Sequence, residues 1–323
     1  MKKILGILAG VALVVASVGV GAQEKYPNQP VRLIVPFPPG GGTDLVSRVI
    51  ATELSKSTGW AVAPDNKPGS GGSLGLGLGG KAKPDGYTLV MAQNANLVVN
   101  PLLGVGNYDP IKDFSPVLLV ASAPQVLIVA KDSKFKTIQE LIEAAKSKPG
   151  SVKFASPGVG TSAHLAGELM QQLSGAKFLH VPYKGTGQAL PDLFGGRVDF
   201  FIASAPSLMT HIKEGTGRAL AVFDKKRSAD LPDIPTLVEV GYPNSEAVTW
   251  WGVVAPAGTP KAVVERLNKE INAILKLPET ISQLKNGGAD AHGSSVEAFS
   301  ALIKSDVPKW QSVIEKANLK PRG

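Results

Sequence analysis

Two stretches of this chain follow the same plan, and that repeat constrains the fold more than any other feature. The first runs from the strand-like Val31-Arg32-Leu33-Ile34-Val35 through Pro39-Gly40-Gly41-Gly42-Thr43 into a helical pattern over 44–57 that closes at Gly59. The second runs from a strand at 152–156 through Pro157-Gly158-Val159-Gly160-Thr161 into a helix. That helix carries Leu165, Leu169 and Leu173 at four-residue spacing and closes at Gly175. The shared Pro-Gly-x-Gly-Thr motifs begin 118 residues apart, at 39 and 157. Further apolar, β-branched runs at 87–91 and 126–129 have the character of buried parallel strands. Residues 137–146 repeat Ile138, Leu141, Ile142 and Ala145 at helical spacing and stop at Pro149-Gly150. Strands alternating with helices imply α/β architecture, and the repeat predicts two similar lobes.

No Gly/Ser linker separates those lobes. Strand-like stretches at 122–129 and 247–254 are the candidate crossovers. The first lobe is then discontinuous, 23–123 with 249–323, and the second is 124–248. Two short extended crossings are what a hinge requires. Trp250 and Trp251 fall in the second crossing, where neighbouring side chains on a strand face opposite ways.

The glycine loops are candidates for chemistry. The first N–H groups of a helix have no partner inside it, and the helix dipole places partial positive charge there. Glycine lets backbone approach an anion closely. Thr43 or Asp44, and Thr161 or Ser162, are placed to cap the helices and offer oxygens. A carboxylate between two such helix starts needs no arginine. The competing reading is a pair of tight turns without a ligand. Asp44, if ionised, repels a carboxylate beside it, so it is expected to face its own helix. His164 falls in the first turn of the second helix and is a candidate for the cleft wall or for helix packing.

Other function classes fit less well. Lys2 and Lys3, the apolar stretch 4–20 and the small residues Val20-Gly21-Ala22 read as a cleaved export signal, with Gln23 the first mature residue. No later segment is apolar for long enough to span a bilayer. The chain has no cysteine, so it has no disulfide, no thiolate metal site and no lipid-bearing N-terminal cysteine. Net charge is +8, but it is spread along the chain without a basic stripe between aromatics, which argues against nucleic acid. Gly75-Leu76-Gly77-Leu78-Gly79-Gly80-Lys81 nearly matches a phosphate loop, yet Ala82 stands where a magnesium-binding hydroxyl belongs. Gly71-Gly72-Ser73-Leu74-Gly75 fits a nucleophile elbow but follows loop rather than strand. No histidine has a metal-ligand spacing partner, and no metal or cofactor is expected.

Several motifs then resemble the substrate-binding receptors of tripartite tricarboxylate transporters, the Bug-type receptors, from about Tyr26 to the C-terminus. They are residues 31–44, Lys83-Pro84-Asp85-Gly86-Tyr87-Thr88-Leu89, Pro182-Tyr183-Lys184-Gly185, residues 193–199, residues 231–237 and residues 251–260. The resemblance implies a two-lobed periplasmic-binding-protein (Venus flytrap) fold, each lobe a mostly parallel sheet flanked by helices. It also implies one carboxylate held by backbone amides and bridging waters from 37–44 and 156–164. On that mapping the ligand-binding candidates are Phe37, Pro38, Gly40, Gly42, Thr43, Asp44, Ser156, Gly160, Thr161 and His164. Gln93, Asn94, Asn96, Tyr183 and Ser204 are the candidates for reading the far end. A departure from the pattern is the run of glycines at 75, 77, 79 and 80, which predicts an irregular element near 73–82.

The function expected is a soluble, monomeric periplasmic receptor, not an enzyme, that delivers a small carboxylate-bearing solute to membrane permease subunits. A binding protein that signals to a membrane kinase needs the same cleft, and a serine hydrolase built on Ser73 lacks a placed base.

Overall fold

The computed structural model describes residues 26–316; the expected export signal lies outside them. Among the described residues ten strands run in chain order: β1 Val31–Val35, β2 Val62–Asn66, β3 Thr88–Gln93, β4 Phe114–Ala130, β5 Lys153–Ser156, β6 Leu179–Pro182, β7 Phe200–Ser204, β8 Gly217–Phe223, β9 Val248–Pro256 and β10 Asp290–Ala291. The helices are α1 Gly42–Thr58, α2 Ser73–Gly80, α3 Asn100–Leu102, α4 Ile138–Ser147, α5 Ser162–Ser174, α6 Thr186–Phe194, α7 Met209–Lys213, α8 Lys261–Ile274, α9 Pro278–Asn286 and α10 Val296–Lys316.

The repeat is realised as topology. β1 lies between β2 and β3, all parallel, and β5 lies between β6 and β7, all parallel. Each central strand runs out into its glycine loop and the helix behind it. α1 ends on Gly59 at φ 75° and α5 on Gly175 at φ 74°, the left-handed stop that glycine takes without steric cost. α4 starts at Thr137, whose side chain accepts from Glu140 N–H, while Lys136 N–H donates to the Glu140 carboxylate.

Antiparallel crossing strands join the two parallel arrays. The first part of β4, 114–124, pairs with β9, which also pairs with β3. The rest of β4, from Gln125, pairs with β7 and β8 in the second sheet. One 17-residue strand therefore passes from one sheet to the other between Pro124 and Gln125. The chain returns beside it, where Gln125 N–H donates to Ala247 C=O at 2.9 Å just before β9.

Trp250 and Trp251 are both buried, on opposite faces of β9. Trp250 packs edge-on to Phe299 of α10 and donates to Asp306 at 2.8 Å. Trp251 is fully buried and donates to Thr43 Oγ1 at 3.1 Å.

The glycine run differs from expectation. Residues 73–80 form a regular helix rather than an irregular element. Built onto Gly79, a Cβ would lie 2.1 Å from Val90 Cγ2, and onto Gly75, 2.9 Å from Pro36. Each interior glycine costs a helix about 1 kcal/mol relative to alanine. Here the missing side chains let α2 lie directly on β3 and the end of β1, and burial of Leu76 offsets that cost.

Candidate functional site

The loops after β1 and β5 face each other across a cleft of ≈ 450 Å³. One wall is Gly41, Gly42 and Thr43; the facing wall is Thr161, Ser162 and Ala163. These are the first turns of α1 and α5, whose amides have no acceptor inside the helix. In α5, Thr161 Oγ1 accepts from His164 N–H at 3.3 Å and donates to Gly158 C=O at 2.7 Å, which leaves Ser162 and Ala163 at the opening of the turn. In α1 the cap is Gly41, which has no side chain to occupy the amides.

Among the described residues, none that lines this cleft carries a charge. The remaining walls are Phe37, Pro38 and Pro157, the amides of Gln93 and Gln125, and the hydroxyls of Thr186, Ser204, Ser207 and Thr249, with Gly185 between them. An anion here meets backbone dipoles and hydroxyls rather than a charged side chain.

The walls also touch directly. Gly42 N–H donates to Ser207 Oγ at 2.8 Å, and Ser162 Oγ donates to Asn94 Oδ1 at 3.2 Å. A Cβ on Gly42 would stand 2.6 Å from Ser204 Oγ, and one on Gly71 would stand 2.7 Å from Val159 O. Each pair joins an element of the first sheet's half to one of the second's.

The sequence-derived residues fall into three groups. Phe37, Pro38, Gly42, Thr43, Gln93, Thr161 and Ser204 line the cleft. Gln93 Nε2–H donates to Thr43 Oγ1, the oxygen that also accepts from Trp251, so two buried donors fix that hydroxyl. Tyr183 lines a wider cavity that shares Phe37, Pro38 and Pro157 with the cleft and adds Lys184. Burial, then the hydrogen bond to the Asp192 carboxylate, pushes the Tyr183 phenol up to about 12, so it stands there as a neutral group.

The third group supports the walls from behind. Gly40 turns the first loop at φ +83° and donates to Asp44 Oδ2 at 3.0 Å. Asp44 faces away from the cleft, bonded to Arg48 at 2.9 Å and Asn66 at 2.9 Å. Burial works against its charge, but the bonds from Arg48, Asn66 and Gly40 outweigh it and hold the carboxyl below its ordinary value. Asn94 donates to Val248 C=O, and Asn96 accepts from Gln93 N–H.

Gly160, at φ +79°, donates to His164 Nδ1 at 3.2 Å, which makes that nitrogen an acceptor. The His164 ring stacks on His180 with centroids 4.3 Å apart, and His180 stacks on Phe154. Ser156 Oγ lies 2.8 Å from His180 Nε2. This column braces the second loop from below. Ser73 spends its hydroxyl on Val105 C=O, Asn100 and Tyr108 rather than in a catalytic pair.

Sequence reasoning missed Gln125, Thr186, Ser207 and Thr249. A signal existed for one of them: Gln125 is a polar residue directly ahead of the apolar run 126–129, at the expected crossing. The others are ordinary loop and strand hydroxyls that only the fold brings together.

A family model described as "Tripartite tricarboxylate transporter family receptor" matches residues 46–319. The chain belongs to that family. Periplasmic binding protein BugD has the same fold, with TM-score 0.86 and 35% identity over 92% of this chain and 100% of that one. An R. palustris protein solved with adipate gives TM-score 0.89 and 32% identity, covering 92% and 100% of the two chains. MatC from Rhodopseudomonas palustris with bound malate gives 0.84 and 29%, covering 90% and 100%. The receptor family is one of solute-binding transport proteins, not enzymes. Its periplasmic-binding-protein architecture, a mixed sheet flanked by helices, is the one described above. Among the described residues, no helix is long and apolar enough to cross a membrane.

Proposed function

We propose that this receptor is exported by its N-terminal signal segment, binds a small carboxylate-bearing solute in the periplasm and delivers it to membrane permease subunits. The observation that carries this reading is the pair of helix starts facing each other across an uncharged cleft. Each supplies amides and the positive end of a dipole to one anionic group, as helix N-termini do for phosphates and carboxylates. The solved relatives bound to adipate and malate support an organic acid as the ligand class.

In this reading the chain divides into a discontinuous lobe, 23–123 with 249–323, and a second lobe, 124–248, joined where β4 and β9 cross. The lobes open and close about those crossings, and ligand selects the closed form by contacting both walls at once. The bonds from Gly42 to Ser207 and from Ser162 to Asn94 belong to that closed form. Transport follows when the permease recognises the closed face.

The test is a thermal-shift screen of the mature protein, unfolded and refolded to strip carried-over ligand. The panel contains mono-, di- and tricarboxylates, aromatic acids and amides. A saturable rise in melting temperature for an organic acid is expected, since a ligand that binds only the folded state stabilises it by mass action. A flat response to every acid, with a response to a neutral solute, would overturn the carboxylate reading.

A further inference from the structure

The helix starts account for one end of the ligand, and the assignment of its other end rests on that reading. Gln125 is the residue at which β4 passes into the second sheet. Its side chain is 1% exposed and lines the cleft. Nε2–H donates to Thr249 Oγ1 at 2.6 Å, while Oε1 is buried with no protein partner. An amide oxygen buried this way has lost water and gained nothing, which native structures avoid unless another molecule supplies the donor.

The surroundings limit what that molecule brings. Among the described residues no cation lines the cleft, and the other cleft amide, Gln93, gives one of its two N–H groups to Thr43. A second carboxylate beside Gln125 would set acceptor against acceptor with no positive charge to compensate. A hydroxyl or an amide N–H satisfies Oε1 and leaves nothing charged behind.

We propose that Gln125, held by Thr249, reads the distal end of the ligand and selects a short monocarboxylate carrying a neutral hydrogen-bond donor over the matching dicarboxylate. Both residues lie where the chain crosses between sheets, Gln125 on β4 and Thr249 on β9. A ligand bonded to Gln125 therefore touches the crossing itself, as well as both walls.

Calorimetric titration of the refolded mature protein with butyrate, 4-hydroxybutyrate, succinamate and succinate tests this. The hydroxy acid and the half-amide are expected to bind about tenfold or more tighter than both butyrate and succinate. In Gln125→Leu the preference for the hydroxy acid and the half-amide over butyrate, read as the ratio of affinities, should disappear. Gln125→Glu, which keeps the shape but adds charge, should bind the donor-bearing acids and reject succinate further. Butyrate binding with equal or tighter succinate binding in the wild-type protein would mean that the amide presents Nε2 instead, and would overturn the proposal alone. No binding of any of the four acids, while another acid of the thermal-shift panel binds, would overturn the proposal and leave the carboxylate reading standing.

Discussion

Gly42 offers a perturbation whose effects on folding and on binding have opposite signs. It opens α1 outside the left-handed range of φ, so alanine fits the backbone without strain. The added Cβ would meet Ser204 Oγ at 2.6 Å, Ser207 Oγ at 3.2 Å and Pro206 Cβ at 3.3 Å. The Ser204 hydroxyl can rotate away, but the Pro206 ring cannot. Every one of these atoms belongs to the facing wall, so under the proposed opening and closing the clash arises only in the closed form.

Overpacking of this kind costs roughly 1–3 kcal/mol. If the wall backs off to relieve it, the Gly42–Ser207 hydrogen bond is lost for about 1 kcal/mol more. A closed state raised by about 2–4 kcal/mol lowers affinity roughly 30- to 700-fold. The open state carries none of that cost. There, Gly42→Ala removes freedom from the unfolded chain and adds about 0.4–1 kcal/mol of stability.

The assay has two parts. Calorimetric titration with the acid that gives the largest thermal shift reads the closed state, and urea unfolding of stripped protein reads the open one. The expected result is a large loss of affinity with equal or greater ligand-free stability. Affinity within about threefold of wild type would refute the close approach of the two walls. A ligand-free protein destabilised as much as its affinity falls would show that the contact belongs to the resting fold rather than to closure.

Two further substitutions probe the supports behind the cleft. Asp44 has a lowered folded pKa, so its stabilisation is complete above its unfolded value of about 4 and is lost as pH falls through the lowered one. Asp44→Asn should therefore flatten the acid limb of melting temperature against pH, and a limb identical to wild type would place that acid sensitivity elsewhere. Gly160→Ala puts a side chain at φ +79° with its Cβ 2.3 Å from Asn100 Oδ1. The left-handed backbone alone costs roughly 1–2 kcal/mol, to be read by urea unfolding, and unchanged stability would show that the turn relaxes freely.

What was legible in the sequence was local. β1 falls on Val31–Val35 as its apolar run predicts, and α1 and α5 stop at the glycines that only a left-handed residue favours. Thr161 caps the helix behind it because a short side-chain oxygen there reaches the N–H three residues on. The strand-like stretches 122–129 and 247–254 overlap β4 and β9. The cleft walls were not legible, because they depend on approach between distant segments: Gly42 and Ser207 are 165 residues apart and meet at 2.8 Å. Nor did the glycines of α2 announce a regular helix. Their cost is visible in the sequence, whereas the close packing against Val90 and Pro36 that offsets it exists only in the fold.

The repeat itself explains why the cleft is asymmetric. Both loops spell Pro-Gly-x-Gly-Thr, but the fold reads the two threonines two positions apart relative to their helices. Thr161 is the cap of α5 and turns its hydroxyl back on His164 N–H and Gly158 C=O. Thr43 lies inside α1, after the Gly41 cap, and its hydroxyl is held by Gln93 and Trp251. The second loop thus satisfies its own third amide and presents Ser162 and Ala163. The first presents its turn without a side-chain cap and passes Gly42 N–H to Ser207 across the cleft. Two copies of one motif give matching dipoles for a single anion, while the shift of two residues gives the walls different hydroxyls. Discrimination between ligands then has to come from what stands between the walls, and among the described residues that line the cleft the buried side-chain atom still lacking a protein partner is the Gln125 amide oxygen.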